Sequence, residues 1–469
     1  MIKSNTLKTL NKAIFLLMTT LILSNFTYAE DARIIDIPEE GFQIRIDMIQ
    51  QAKETIDIEY YSIWENHQST RMIMSLLNEA ANRGVKVRII IDEGPGVMGD
   101  GNIGYLLENP NIEIKYYHPR EWGHFRKFNL RLHTKLLLID GEQVLSGGRN
   151  IADSHFGHGW TLHQSRDRDI YIKSDKNDEN SIASQVAKYH NDLWNSNEVE
   201  YTPIKDLMVK NCDEVFFQSY CTGKQNELYA EIKFSKNVSQ DTLSRHKLAY
   251  PEWFNTNYNW IDNNGHKDVK MTFIHDEIGK KRGSAGTAQG IYNLMLSANE
   301  TILGQTPYMV PTQRMLETLR KVDKKDVNFT ILTNSLATGP NPTGMAGYRR
   351  YGDRLRSLGI TFWEFQGVDS QHTKGLVIDG KTSLISSYNL ESRSENLNTE
   401  FLFIVEDSPE FAQELTDIII TNHMNGALET TKRGKPIERD DLKAAEISFA
   451  TWYTQSIMSF YMPLMQWFV

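Results

Sequence analysis

Apolar and polar positions along this chain fall into short segments that recur. Residues 56–62 run apolar or alternate, as a strand does, and 70–83 set Ile73, Leu76, Leu77 and Ala80 at helical spacing before Gly84 closes the helix. Residues 85–92 return to a strand pattern, and 112–117 form a further short apolar segment. About 240 residues later the same order comes back, a period long enough to be one whole α/β unit. Glu300-Thr301-Ile302 answers Glu54-Thr55-Ile56, 315–322 answers the helix, 327–334 answers 85–92, and 360–365 answers 112–117. Strands alternating with helices predict a sheet covered by helices, and the recurrence predicts two of them.

Each repeat ends in an apolar run, 136–140 or 376–379, bounded by Gly141 or Gly380 and predicted to be a buried strand. In front of these runs stand His133 and Lys135, and His372 and Lys374, each pair followed by Asp140 or Asp379 in the spacing His-x-Lys-x4-Asp. The two-residue period of a strand puts each His and Lys on the same face. A lone copy is explained equally well by a surface His and Lys on a strand. Two copies in register within a repeat are not.

That pair of motifs is what phosphodiester cleavage without a metal requires: a nucleophile, cations on the nonbridging oxygens, and an acid for the leaving alcohol. One imidazole attacks phosphorus, the two lysines hold phosphoryl oxygens, and the other imidazole protonates the departing oxygen. No cofactor or metal is called for.

Composition places this chemistry. Lys3, Lys8 and Lys12 precede an apolar run at 13–23, and Thr27-Tyr28-Ala29 precedes Glu30-Asp31, the order of a signal peptide cleaved after Ala29. The run is shorter than the roughly 20 residues a membrane span needs. Losing those lysines takes the net charge of −9 to −12, which argues against general polyanion binding. Cys212 and Cys221, the two cysteines present, leave either a short-loop disulfide or two buried thiols open, and exclude a four-cysteine metal site.

The motifs resemble those of the phospholipase D superfamily, and their context is similar to bacterial cardiolipin synthases of the C type. The stretches that carry the resemblance are Tyr60-Tyr61-Ser62-Ile63-Trp64, Leu132-His133-Thr134-Lys135, Gly147-Gly148-Arg149-Asn150-Ile151, 331–337, and 389–400 with Arg393-Ser394 and Asn398-Thr399-Glu400. The resemblance implies a duplicated phospholipase D-like α/β fold: two α/β/α halves with mixed sheets, a pseudo-twofold axis and one shared active site. The expected divisions are a signal peptide at 1–29, halves at 30–196 and 283–430, a connecting insertion at 197–282, and a C-terminal tail at 431–469.

The superfamily's Gly-Ser-x-Asn continuation stands here as Gly147-Gly148-Arg149-Asn150 and Ser386-Ser387-Tyr388-Asn389, so Asn150 and Asn389 are expected phosphate donors and the first copy lacks the serine. An acid downstream of each motif orients its histidine; by resemblance these are Glu400 for His372 and Asp169 for His133. Asp140 and Asp379 are expected to hold the backbone turn. His133 is expected as nucleophile and His372 as general acid, an assignment that the symmetry of the two motifs leaves open.

Two features point to lipid. Residues 120–135 gather Arg120, Arg126, Lys127 and Arg131 among Trp122, Phe125 and Phe128, and 447–469 carry no charge while Phe449, Trp452, Tyr453, Ile457, Phe460, Tyr461 and Leu464 recur at helical spacing. A solvated charged loop and a helix packed on the enzyme's own body are the plainer accounts. The expected function is phosphatidyl transfer to a second lipid in the bacterial periplasm, at a membrane surface, with cardiolipin as product. A secreted phospholipase D that lets water resolve the same intermediate is the alternative, a nuclease a lesser one, and a noncatalytic lipid adaptor the reading from outside enzymes. Both motifs lie in one chain, so a monomer suffices; no nucleic-acid partner is expected, and an accessory protein stays open.

Overall fold

The computed structural model describes residues 28–94, 98–118, 129–214, 217–255, 258–281, 283–284 and 286–465. A single sixteen-stranded mixed sheet runs through the described chain. From one edge the order is Val199–Tyr201, Ile112–Tyr117, Lys86–Asp92, Thr55–Tyr60, Lys135–Ile139, Gln143–Gly147, Asp169–Lys173 and Tyr28–Ile35. It continues as His266–His275, Phe401–Glu406, Thr382–Ser386, Gly375–Ile378, Thr301–Gln305, Asn328–Asn334, Ile360–Phe365 and Ala427–Glu429. Counted outward from the middle, the two lists match strand for strand. The predicted repeat is therefore a two-fold arrangement, joined by the antiparallel pair Tyr28–Ile35 and His266–His275.

Helices cover both faces, as the patterning predicts. Pro38–Gln51 and Gln68–Asn82 close one face of the first half over Ile56, Ile58, Val87 and Ile89. Gly286–Ser297 and Gln313–Asp323 do the same in the second, over Ile302, Phe329 and Ile331. Ser181 and Thr312 cap their helices by accepting from the Ser184 and Met315 N–H groups, satisfying donors the helix leaves open. On the opposite face, Ile182–Trp194 and Pro409–Ile418 share one core with strands of both halves: Val144 and Ile172 meet Val377, Phe401 and Phe403 in the same apolar cluster. That continuous core fixes the halves against each other.

The stretch 197–282 is not wholly an insertion. It begins with the edge strand Val199–Tyr201 and ends with the central strand His266–His275, counterparts of Ala427–Glu429 and Tyr28–Ile35. The first is too short to show a pattern, and the second sits among polar residues that read as a loop. Between them the helix Gln218–Ala249 lies on the first half through Leu228, Ile232 and Leu243, and Cys212 and Cys221 form a disulfide. The expected signal segment, apart from its last residues at 28–29, lies outside the described residues, as do 119–128 of the basic stretch.

Asp140-Gly141 and Asp379-Gly380 turn the two hairpins with left-handed backbone at all four residues, a conformation that Gly and Asp tolerate best. Each aspartate then accepts backbone N–H groups: Asp140 from 53–55 and Asp379 from 299–301, at 2.8 to 3.0 Å for the nearer oxygen. Asp140→Ala or Asp379→Ala should cost about 1–3 kcal/mol of stability by stranding these donors while leaving kcat of the folded enzyme close to wild type. Urea unfolding run beside an activity assay checks this; a kcat loss without a shift in midpoint would mean a chemical role.

Candidate active site

Two very short ladders, outside the main sheet, build the site. Arg131–Leu132 pairs in parallel with Asn398–Thr399, and Ser165–Arg166 with Ser370–Gln371. Each joins one half to the other, and the next residue on every strand is a chemical one: His133 beside Glu400, and His372 beside Asp167. The His133 N–H donates to Thr399 O and the His372 N–H to Arg166 O, locking these positions. Side chains at the ends of parallel strands set the approach, since Asp92 accepts the Leu132 N–H at 2.8 Å and Asn334 the Gln371 N–H at 2.8 Å. Thr134 is tied to the buried Glu59 at 2.7 Å.

His133 Nδ1 donates to Glu400 Oε2 at 2.9 Å, and His372 Nδ1 to Asp167 Oδ2 at 2.5 Å. Both carboxylates are fully buried. Bonding at Nδ1 fixes the tautomer and leaves Nε2 of each ring for chemistry. Ser387 and Ser394 donate to Glu400 at 2.5 and 2.6 Å, and Asn398 at 3.3 Å. Lys135 lies over the Tyr61 ring and donates to His133 O, while Lys374 donates to His372 O; both lysines are buried, and among the described residues neither has a carboxylate within ion-pair distance.

Burial governs the charges. It pushes His133 down to about 4 and, with Lys374 adding, His372 to about 3, so both imidazoles are neutral at pH 7. It lowers Lys135 to about 7 and Lys374 to about 8. Burial alone would raise Glu400, but His133 and Lys135 hold it down at about 2; Asp167 is likewise held well below the usual range by Lys374 and His372. Lys135, Lys374, Glu400 and Asp167 each appear among the charges acting on the others' neighbours, so the two motifs share one electrostatic environment.

The expected acids are corrected on two counts. Glu400 serves His133, not His372, because the ladders cross between halves. Asp169 is not an imidazole partner: it begins the strand Asp169–Lys173 and is held at 2.9 Å by Arg45 and 3.3 Å by Arg149. The acid on His372 is Asp167, two residues earlier in the same Arg166-Asp167-Arg168-Asp169 run, and aligning it with Glu400 through the strands that follow would have found it. Asp140 and Asp379 stand at the far ends of their strands, seven residues and so roughly 20 Å or more from the histidines at a strand's rise per residue. Asn150 and Asn389 are buried, each with a side-chain oxygen that has no partner within the described residues, and the Asn389 amide donates to Glu391 at 2.9 Å.

His155, which the sequence did not single out, faces Asp167 at 3.4 Å. His155, Asp167 and His372 cluster at metal-ligand spacing, but the Lys374 ammonium, 2.8 Å from His372 Nδ1, sits where a cation would be repelled. A groove of about 790 Å³ leads to His372, His155 and Asn150 between Trp64, Val368, Pro340 and Glu446.

Two His-Lys pairs at the junction of a duplicated α/β sheet, each imidazole oriented by a buried acid, define a phospholipase D-like enzyme. A family model described as "Cardiolipin synthase, PLD-like domain" matches residues 45–194 and 291–422, and the chain belongs to that family. It is 28% identical to cardiolipin synthase C of Escherichia coli (strain K12) over 402 residues, covering 78% of this chain and 79% of the relative. It is 23% identical to cardiolipin synthase A of Wigglesworthia glossinidia brevipalpis, covering 85% and 68%. Its fold is similar to that of phosphatidylserine synthase from Haemophilus influenzae Rd KW20, with a TM-score of 0.62 at 15% identity over 95% of this chain and 96% of that one.

Two outcomes follow from the charges and pairings. The kcat/KM profile should fall below pH 4 as His133 gains a proton and above pH 7 to 8 as Lys135 and then Lys374 lose theirs. In kcat the alkaline limb should lie higher, because a bound phosphodiester anion retains the lysine protons. Asp167→Asn should lower kcat by about 10³- to 10⁴-fold, the scale for an acid that fixes a catalytic imidazole. Asp169→Asn should instead cost about 3–5 kcal/mol by uncovering Arg45 and Arg149, read as a fall in melting temperature.

Proposed function

We propose that this enzyme transfers a phosphatidyl group from one phospholipid to a hydroxyl of another through a phosphohistidine, with phosphatidylglycerol as acceptor and cardiolipin as product. The observation that carries this reading is the convergence of two oriented, neutral imidazoles and two buried lysines on one site. His133 Nε2 attacks phosphorus, the bond to the leaving alkoxide breaks, and His372 Nε2 gives that oxygen its proton. The acceptor hydroxyl then returns a proton to His372 as its oxygen attacks phosphorus and releases His133. An incoming phosphodiester anion raises the proton affinity of His372, Lys135 and Lys374 together, which supplies the acid.

The groove supports giving His372 the alcohol side. Among the described residues its lining includes His372 and not His133, which fits alcohols exchanging at the acid while the phosphatidyl group stays on the other histidine. Lipid as substrate is supported by the C-terminal helix Phe449–Met465. It packs on Pro342–Arg356 through the buried Met462 and Gln455, and turns Phe449, Trp452, Tyr453, Ile457, Phe460 and Tyr461 outward. Gln455 donates to Leu336 O, next to the groove-lining Ala337 and Thr338, and the helix starts three residues after Glu446 of the same groove. Leu162 and Val368, 92% and 77% exposed, add apolar tips near the rim, and Arg349 stacks on Trp452. An exposed apolar band of this size beside a lipid-sized groove fits a bilayer interface. No helix among the described residues is long and apolar enough to cross a membrane. The lysines and apolar run at the N-terminus support export to the periplasm.

Purified enzyme with phosphatidylglycerol vesicles should yield diphosphatidylglycerol and glycerol by mass spectrometry; phosphatidic acid as the sole product would replace transfer by hydrolysis. Replacing Phe449, Trp452 and Phe460 together by Glu should lower activity on vesicles about tenfold or more, given the apolar area withdrawn from the interface. Activity on monomeric short-chain lipid should be unchanged. Equal activity of both proteins on vesicles would remove the helix from membrane binding.

A further inference from the structure

His155 is a buried histidine at the centre of the site that the reaction scheme leaves idle. Its Nδ1 lies 3.4 Å from Asp167 Oδ2, the same oxygen that receives His372 Nδ1, and its ring meets the His372 ring edge-on at a centroid distance of 5.6 Å. The position is built. His155 ends the short turn Asp153–His155, and Asp153 is held by the His67 ring at its N–H and by Gln68 N, Ser69 N and Ser69 Oγ at its carboxylate, at 2.7 to 3.1 Å.

The other half shows what this position is for. His155 follows Asn150 by five residues, as Ser394 follows Asn389, and Ser394 donates to Glu400. Ser387, the second hydroxyl on Glu400, corresponds to Gly148. A Cβ at Gly148 would come within 1.9 Å of Asp167 Oδ1, so the shorter acid has taken the room a serine would need. Asp167 thus has neither hydroxyl; apart from His372, the backbone N–H of Arg168 at 3.0 Å and His155 are what face its oxygens among the described residues.

We propose that His155 is a positioning residue that shares the Asp167 carboxylate with His372, so that Asp167 holds His372 in register without over-stabilising its protonated form. At 3.4 Å the His155 Nδ1 makes a long polar contact to Asp167 rather than a full hydrogen bond; an N–H there withdraws charge from the oxygen His372 uses, which keeps His372 a strong enough acid to protonate an alkoxide. Besides Asp167 and His372, Arg149 and Lys374 act on His155 and disfavour a positive charge there; burial lowers its proton affinity further, so it stays a neutral donor. The catalytic consequence rests on the assignment of His372 as the acid; the coupling of His155 to His372 does not.

The test uses the full chain with His155→Phe, which keeps the ring and removes the donor, and His155→Asn, which restores one. In His155→Phe the His372 titration, followed by NMR with labelled histidine, should rise by roughly half to one pH unit. Turnover of phosphatidylglycerol should fall about 2- to 10-fold with KM little changed. Turnover of phosphatidyl-p-nitrophenol, whose leaving group needs no acid, should stay within about twofold. His155→Asn should recover most of both effects. An unmoved His372 titration in both variants, or equal slowing of both substrates that Asn does not relieve, would reduce His155 to packing and overturn the proposal. If the titration moves but the leaving group makes no difference, His155 is coupled as proposed and the acid assignment of the preceding section fails. If the wild type turns over neither lipid, the lipid reading fails and the His372 titration still decides His155.

Discussion

The chemistry depends on two parallel ladders of two residues each that cross between the halves. They put His133 of the first half on Glu400 of the second, and His372 of the second on Asp167 of the first. Neither half can orient its own imidazole. Ladders this short are worthless alone; they hold because the central antiparallel pair and the common apolar core on the opposite face fix the halves to within a hydrogen bond. The sixteen-stranded sheet is in this sense the positioning device, and the pseudo-twofold axis passes through the site because the crossing requires it.

Burial then gives the groups their character. In water two lysines, two histidines and two acids would all be charged or near it. Here the acids stay ionised because imidazole and ammonium groups stand against them, while the histidines are neutral and the lysines are brought down towards neutrality. By itself the site is short of positive charge relative to its task, and a phosphodiester anion corrects that on arrival. Charge complementarity is completed by the substrate rather than stored in advance.

Much of this was legible because it is periodic. Strand and helix spacing with an internal repeat located the sheet, and the motif copies located both imidazoles and both lysines at strand starts. What failed was what periodicity does not encode. The motif alone points to Asp169 as readily as to Asp167, because two acids two residues apart share a face; the pairing of Ser165–Arg166 with Ser370–Gln371 separates them, as does matching the strands that follow Asp167 and Glu400. Glu400 was given to the nearer histidine in sequence because crossing between halves leaves no local mark. The strand His266–His275 was missed for another reason: at the seam of two halves its burial alternates irregularly, and it sits amid polar residues that read as a loop.

A duplicated fold begins with two equivalent motifs, yet the phosphohistidine route proposed above gives one imidazole to phosphorus and the other to proton exchange with alcohols. The departures from symmetry fall where that division demands them. Among the described residues, those lining the groove include His372 but not His133. Glu400 is held by two serines and an asparagine, whereas Asp167 faces a glycine where one serine would be and a histidine where the other would be. Both changes concern the acid behind the imidazole, and leave His, Lys and Asn in place on each side. Altering the partner tunes a proton affinity without moving a reacting atom, so it is the route by which a symmetric site can acquire two roles while keeping the phosphate cradle that both halves must still share.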